Sequence, residues 1–591
     1  MSPLRNLACA AEIVDGLHRW QTLAGAFINT LSALVPRSTA RSRKINGVGV
    51  LFCAIFCAIA VYRFLGAGRD DVFLSLWSGE TLGSRNWFIN YDHQYAEISS
   101  SILHCLIIRM LAGLIPGGVF IGNKIVGLLA AIATIAMIFR MRDALFPDGM
   151  SGIGAAIGGF LTATSPVFAY WALGGLETSI QAFLMLSYAA GVIRLHSRRS
   201  LETVAWVGVV ACFIIAARPE GVWVIPLTVL LLWWSGRASK GYVVLAAGLP
   251  LIFFVGLVCI RFSFTGLVFP TPVYAKVGDL GTITPVGARY LFSYWSRGII
   301  GPFHFLALVA ALVVVATAWF GESHKRFPLI VVASLTIVGD AFAVLAGGDW
   351  MEYFRFLAPV LPLKNLLMAQ LIVERRFIRT ERRTFRCAPV VVVGALTLAI
   401  GVQQQFISGL NLLPPWPTDN CSDTLPADLL RGGFSELPAR IMHLNCAHRR
   451  DILAIEPFIQ QDMRRYLERA GHLTILTYQM GLFPYFVRRE FPDGRVGFVD
   501  TTGLTDLHVA TLPLPKSFFG LVWHNDIIGI LKGERGGLSE YVAQRQPNMI
   551  YLLGTDAATT AVLARLGFQL VLNRPGAAVF WRGDPGQSSV D

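Results

Sequence analysis

The sequence predicts a polytopic α-helical membrane protein with about eleven transmembrane helices and a C-terminal α/β domain outside the membrane. Three observations predict it. Of the 591 residues, 54% are hydrophobic and only 15% charged, against about 25% charged in soluble domains; mean hydropathy is +0.56. Apolar runs of about 20 residues, the length that spans a bilayer as helix, recur between residues 47 and 404. Beyond residue 405 short apolar strand-like runs alternate with helix-like segments.

Residues 1–45 read as a cytoplasmic or interfacial segment. Glu12, Asp15, His18 and Arg19 break its apolar part and argue against a cleavable signal. Residues 20–35 read as an interfacial helix, closed by Pro36 and the basic Arg41, Arg43 and Lys44. The membrane domain covers 46–404. Its first span is 47–65, followed by a large outer loop at 66–120. Further spans are expected at 121–140, 152–172, 178–195, 203–217, 220–235, 242–262, 301–320, 328–346, 356–373 and 388–404.

The stretch 98–116 is apolar but holds His104 and Arg109 and ends at Pro116. It is read as an amphipathic helix on the outer surface. That choice leaves the basic clusters at 140–142, 194–199, 237–240, 324–326 and 375–386 on the cytoplasmic side, as orientation in a membrane requires. The net charge of +13 is accounted for by these clusters, so no nucleic-acid partner is expected.

Residues 405–591 form the soluble domain, with strands near 473–477, 550–553 and 569–572 and helices near 451–470 and 538–544. An odd number of spans from a cytoplasmic N-terminus puts it outside. There, of the nine cysteines, Cys421 and Cys446 are placed for a disulfide, which an oxidising compartment favours; two free thiols are the alternative. No Cys-x-x-Cys pair suggests a zinc cage.

The same topology brings several polar segments to the outer face. Asp70 and Asp71 directly follow the first span. An outward carboxylate there can take a proton from a hydroxyl or help hold a divalent cation, although nothing in the sequence requires a metal. Helix capping is the plainer reading. Asp70 is the preferred base, Asp71 the second. His93 and Glu97 lie in the same loop. Glu177 suits a helix start. Arg218 breaks an apolar run and fits anion binding, or ion pairing with Glu220 or Glu177. A Pro-rich loop carries Tyr274 and Lys276, the latter a point charge for phosphate. Asp349 and Arg355 follow two glycines, with Trp350 and Tyr353 read as interfacial anchors. In the soluble domain Asp506 closes a Gly503-Leu-Thr-Asp506 run, either as a ligand or as a cap.

Taken in order, Asp70-Asp71, Tyr91 to Ser100, Gly175-Leu-Glu177-Thr178, Arg218-Pro-Glu-Gly221, Pro272-Val-Tyr-Ala-Lys276, Gly347-Gly-Asp349 to Pro359 and Gly503 to Asp506 resemble the GT-C membrane glycosyltransferases. Within them the set is most similar to the terminal β-(1→2) arabinofuranosyltransferase (AftB-like) family. The chain departs from that family at Ile98-Ser99 and in its basic N-terminal extension.

The resemblance implies inverting transfer of a sugar, arabinofuranose, from a polyprenyl-phosphate donor to a hydroxyl of a cell-envelope glycan. The site would face the periplasm from the bacterial inner membrane. Asp70 and Asp71 would be catalytic. Arg218, Lys276, Arg355 and His93 would meet the donor phosphate. Glu97, Glu177, Tyr274, Asp349 and Asp506 would contact substrates. A transporter or flippase of a lipid-linked sugar, or a transferase with a protein or lipid A acceptor, is the alternative. A transporter more often shows internal repeats and charges at the midplane, and neither is evident here.

Overall fold

The computed structural model describes residues 40–64, 67–68, 70–82, 89–114, 119–146, 151–235, 239–276, 278–296, 300–319, 326–349, 351–373, 455–512, 526–574 and 577–582. The interfacial segment 20–35, the span expected at 388–404, Trp350, Cys421 and Cys446 lie outside the described residues.

Among the described residues five helices are long and apolar enough to cross a membrane: Val119–Leu145, Thr178–Ser197, Lys240–Thr265, Ile300–Thr317 and Phe327–Leu345. They coincide with five of the expected spans. The expected span at 152–172 is not one straight helix. It is Ser151–Ala163 and Pro166–Leu173, bent by 60°. Pro166 has no amide to continue the first helix, and the Ser165 hydroxyl caps the second by accepting from the Phe168 N–H at 3.3 Å. The segments expected at 203–217 and 220–235 are the short helices Leu201–Ala217 and Pro219–Trp234, parted by Arg218 in extended backbone.

The helix Ile102–Leu114 has 13 residues, which at about 1.5 Å each falls well short of a bilayer's hydrocarbon thickness. It buries Ile102, His104, Cys105, Ile108 and Leu111 and exposes Leu106, Met110 and Leu114. Between helices Phe327–Leu345 and Leu361–Val373 a sealed ion pair joins Lys364 to Asp340 at 2.5 Å. Beside it His304 links the Tyr294 hydroxyl at 2.5 Å to the Asn365 side chain at 3.0 Å.

The C-terminal part is a five-stranded sheet in the order β2-β1-β3-β5-β4, made of β1 Leu473–Thr477, β2 Val496–Asp500, β3 Met549–Leu552, β4 Phe568–Arg574 and β5 Ala577–Arg582. β1 runs parallel to β2 and β3, while β5 is antiparallel to β3 and β4. Every residue of β1, β2 and β3 is buried, as expected of parallel strands covered on both faces. β2 and β5 were not expected. Gly497 and Asp500 dilute β2 as a strand pattern.

The loop after the first helix is built onto this domain. The Asn90 amide donates to the Thr505 carbonyl at 2.9 Å. The Tyr91 hydroxyl donates to the Gly481 carbonyl at 3.3 Å. Asp92 accepts from the Phe498 N–H at 2.8 Å and from Arg545 at 3.0 Å. The Tyr485 hydroxyl donates to Glu80 at 3.0 Å. Loop and domain thus form one polar seam over the end of the helices, closed by apolar contacts such as the Phe73 and Tyr485 rings, 5.3 Å apart.

Candidate active site

The helix Asp71–Thr81 buries Val72, Phe73, Leu74, Leu76 and Trp77. That packing fixes Asp70 and Asp71 at its N-terminal end. Asp71 is the meeting point of three distant segments. Its Oδ2 lies 3.5 Å from the Lys276 Nζ and 3.4 Å from an Arg355 terminal nitrogen. Arg355 Nε donates in turn to Asp349 Oδ2 at 2.5 Å. Burial works against the charge on Asp71, but the Lys276 ammonium and the Arg355 guanidinium outweigh it and hold the carboxyl below the ordinary range. The Lys276 side chain keeps 24% of its surface open, against 6% for Arg355. Lys276 is therefore the cation an incoming anion meets most readily.

A second pair adjoins the first. Arg218 donates to Glu177 at 2.5 Å and pairs with Glu220 as well. The guanidinium carbons of Arg218 and Arg355 stand 5.3 and 5.2 Å from the Phe356 ring centroid. His104 lies 4.0 Å from Glu177, and its other ring nitrogen is 2.7 Å from Asn123. Asp71, Asp349, Glu177, Arg218, Lys276 and Arg355 are thus one connected set at one end of the helical part.

Arg355 projects from an unusual turn. Gly347 and Gly348 have φ of 78° and 77°, and a Cβ on Gly348 would meet the Tyr290 side chain at 2.6 Å. Further on, Tyr353 and Phe354 also sit in the left-handed region, at φ 54° and 48°. Such conformations cost about 1–3 kcal/mol each for residues with a Cβ. Asp349 steadies the turn by accepting from the Met351 N–H at 3.1 Å.

Asp70 does something different from its neighbour. Its two carboxylate oxygens accept from the backbone N–H groups of Gly481, at 3.0 Å, and Leu482, at 2.6 Å. These amides begin the helix Leu482–Glu490. Asp70 does cap a helix, but one in the other domain.

Several residues expected to contact substrate are bonded within the protein as follows. Glu97 makes a two-point ion pair with Arg261, at 2.6 and 3.2 Å, with both residues buried. The Glu97 carbonyl also accepts from the Thr271 N–H at 3.1 Å, which ties down the helix Thr271–Lys276. The Tyr274 hydroxyl accepts from the Val268 and Phe269 N–H groups and so closes its own loop. Asp506 caps Leu507–Thr511 by accepting from His508 and Val509, and it receives the Tyr541 hydroxyl at 2.8 Å. Glu177 and Asp349 are consumed by Arg218 and Arg355. His93 is exposed in the seam, 6.3 Å from the Trp77 ring, and is not brought into contact with the Lys276–Arg355 pair. A buried polar group must be paired, and for Glu97 the partner Arg261 comes from an element that no sequence spacing reveals.

Arg261, Phe356 and Trp171 were missed by sequence reasoning. Arg261 had a signal, as a lone cation inside an apolar run. Phe356 and Trp171 had none, being aromatics among many. Among the described residues no group of three or more His, Cys, Asp or Glu side chains is placed to hold a metal ion.

No protein-family model matches the chain, and no curated protein sequence matches it. Solved structures do. ArnT from Cupriavidus metallidurans bound to undecaprenyl phosphate is 14% identical, with a TM-score of 0.49 over 93% of this chain and 99% of that one. An oligosaccharyltransferase from Archaeoglobus fulgidus is 11% identical, with a TM-score of 0.47 over 85% of this chain and 67% of that one. The arabinofuranosyltransferase AftD from mycobacteria is 12% identical, with a TM-score of 0.47; the match covers 93% of this chain but 40% of that one.

Proposed function

We propose that the chain is an inverting membrane glycosyltransferase. It moves a sugar of the arabinofuranose class from a polyprenyl-phosphate donor to a hydroxyl of a cell-envelope glycan, on the periplasmic face of the bacterial inner membrane. The observation that carries this reading is Asp71 held between Lys276 and Arg355, next to Asp70 and at the polar end of apolar helices. A lipid monophosphate leaving group needs cations where the helices end, and a sugar acceptor needs a carboxylate beside them.

In this reading Asp70 takes the proton of the acceptor hydroxyl. The acceptor oxygen attacks the anomeric carbon from the face opposite the phosphate, and the bond from that carbon to the phosphate oxygen breaks. Polyprenyl monophosphate leaves against Lys276 and Arg355, with Arg218 behind Phe356. Asp71 keeps the two cations in place before the donor arrives, so little reorganisation is needed when charge develops on the leaving oxygen. Arg355 retains N–H donors beyond those given to Asp349 and Asp71, and Lys276 has three in all. The α/β domain, docked through the seam, supplies the surface facing the acceptor.

Purified protein in detergent, given a synthetic polyprenyl-phosphoryl-D-arabinofuranose and a short arabinan, should form the extended glycan. The Asp70→Asn variant should not. A wild-type protein that transfers none of a panel of polyprenyl-phosphate sugars, yet moves them across vesicle membranes, would replace this reading with a transporter.

A further inference from the structure

We propose that Trp171 is a positioning residue for Arg355, acting through the backbone of Tyr353. The inference rests on the reading of Arg355 as a ligand of the donor phosphate.

The Trp171 indole N–H donates to the Tyr353 carbonyl at 2.9 Å. The adjacent Tyr170 ring stacks on the Tyr353 ring, with centroids 4.4 Å apart and planes 17° from parallel. Phe64 packs edge-on against both rings at 5.7 Å. One residue further, Phe354 is held from the other direction by Tyr294 at 5.0 Å and Tyr290 at 5.4 Å. The clamp therefore grips the two consecutive residues whose backbone is left-handed, immediately before Arg355.

Left to itself the turn would relax. Returning Tyr353 from φ 54° to the right-handed value of about −63° rotates everything after it. Arg355 would then leave both Asp349 and Asp71. Strain of this kind persists only where the surroundings over-determine it. Trp171 can act here because the helix is broken at Ser165. The bent segment Pro166–Leu173 presents Tyr170 and Trp171 to the turn.

The test is a double-mutant cycle read as affinity of the full-length protein for undecaprenyl monophosphate in detergent micelles. Trp171→Phe keeps a ring and removes the donor; it should weaken binding about fivefold to tenfold, the size of one net hydrogen bond. In an Arg355→Lys background the same change should cost less than twofold. A merely structural tryptophan would cost the same factor in both backgrounds, and that result, or no effect at all, overturns the inference. In a Tyr353→Gly background, where φ 54° carries no steric cost, Trp171→Phe should again lose its effect; a full effect there also overturns it. If Trp171→Phe does not yield folded protein, Tyr170→Leu removes the stacked ring instead and carries the same expectations. A wild-type protein with no affinity for undecaprenyl monophosphate would fail the donor reading itself, a result distinct from additivity in the cycle.

Discussion

The carboxylate of Asp70 accepts a hydrogen bond from the backbone N–H of Leu482 at 2.6 Å, across 412 residues of sequence. The Gly481 N–H bonds its other oxygen, and a Cβ on Gly481 would collide with that carboxylate. The proposed base is thus held by the domain proposed to face the acceptor, so base position and domain docking are one structural fact.

Asp70→Asn should lower transfer by about a hundredfold to ten-thousandfold, the range for loss of a general base. Asparagine has one acceptor oxygen for two amides, so the seam should also weaken, at a cost of about 1–3 kcal/mol for the orphaned donor. Turnover and melting temperature are the measurements. Turnover near that of wild type would remove Asp70 as the base.

Lys276→Ala and Arg355→Ala should separate binding from stability. Lys276 is the more open cation, and its loss should reduce kcat/KM for the donor about tenfold to a hundredfold with little change in melting temperature, as expected for one charge-assisted contact. Losing Arg355 also strands the buried Asp349, which costs about 3–5 kcal/mol. Two variants with the same melting temperature would contradict this division of labour.

The Glu97–Arg261 pair should behave as a brace. Glu97→Gln should destabilise the protein by about 3–5 kcal/mol, because Arg261 is left charged and buried. The double variant Glu97→Leu with Arg261→Met should recover most of that loss. Thermal unfolding decides it: a double variant no better than the single one would point to a role in ligand binding instead.

Asp500 should make the seam pH-dependent. It is buried at the end of β2 and accepts from the N–H and hydroxyl groups of Thr502 and Thr505. Burial nonetheless outweighs these bonds and raises its carboxyl from 3.8 to about 6. The folded state therefore binds the proton more tightly than the unfolded one. The stabilisation is full below about pH 4 and is lost as pH rises through about 6, amounting to at most about 3 kcal/mol. Melting temperature should fall between pH 5 and pH 7, and Asp500→Asn should flatten that slope. An unchanged slope in the variant would assign the effect to other groups.

Much of the membrane part was legible because each apolar run stands alone as a composition signal. Val119–Leu145 and Lys240–Thr265 could be placed within a few residues. The break at Ser165 was not placed, since Pro166 is as compatible with a kinked span as with two helices. In the site, Asp71, Lys276, Arg355, Arg218, Glu177 and Asp349 were all named beforehand, and the structure brings them together. The pairing of Arg218 with Glu177 or Glu220 and a cap at Asp506 were among the readings, whereas the meeting of Asp71 with Lys276 and Arg355 and the contacts that Glu97 and Tyr274 make were not.

The sequence by itself determined that long helices form and that charged segments gather at their ends, because in lipid every backbone group must bond within its own segment and a bare charge is expelled. It could not divide the work of Asp70 and Asp71. Both sit at the start of one helix, where successive side chains point about 100° apart. One reaches the amides of Gly481 and Leu482, the other Lys276 and Arg355. That division depends on three segments arriving from elsewhere in the chain, and only their packing in three dimensions brings them there.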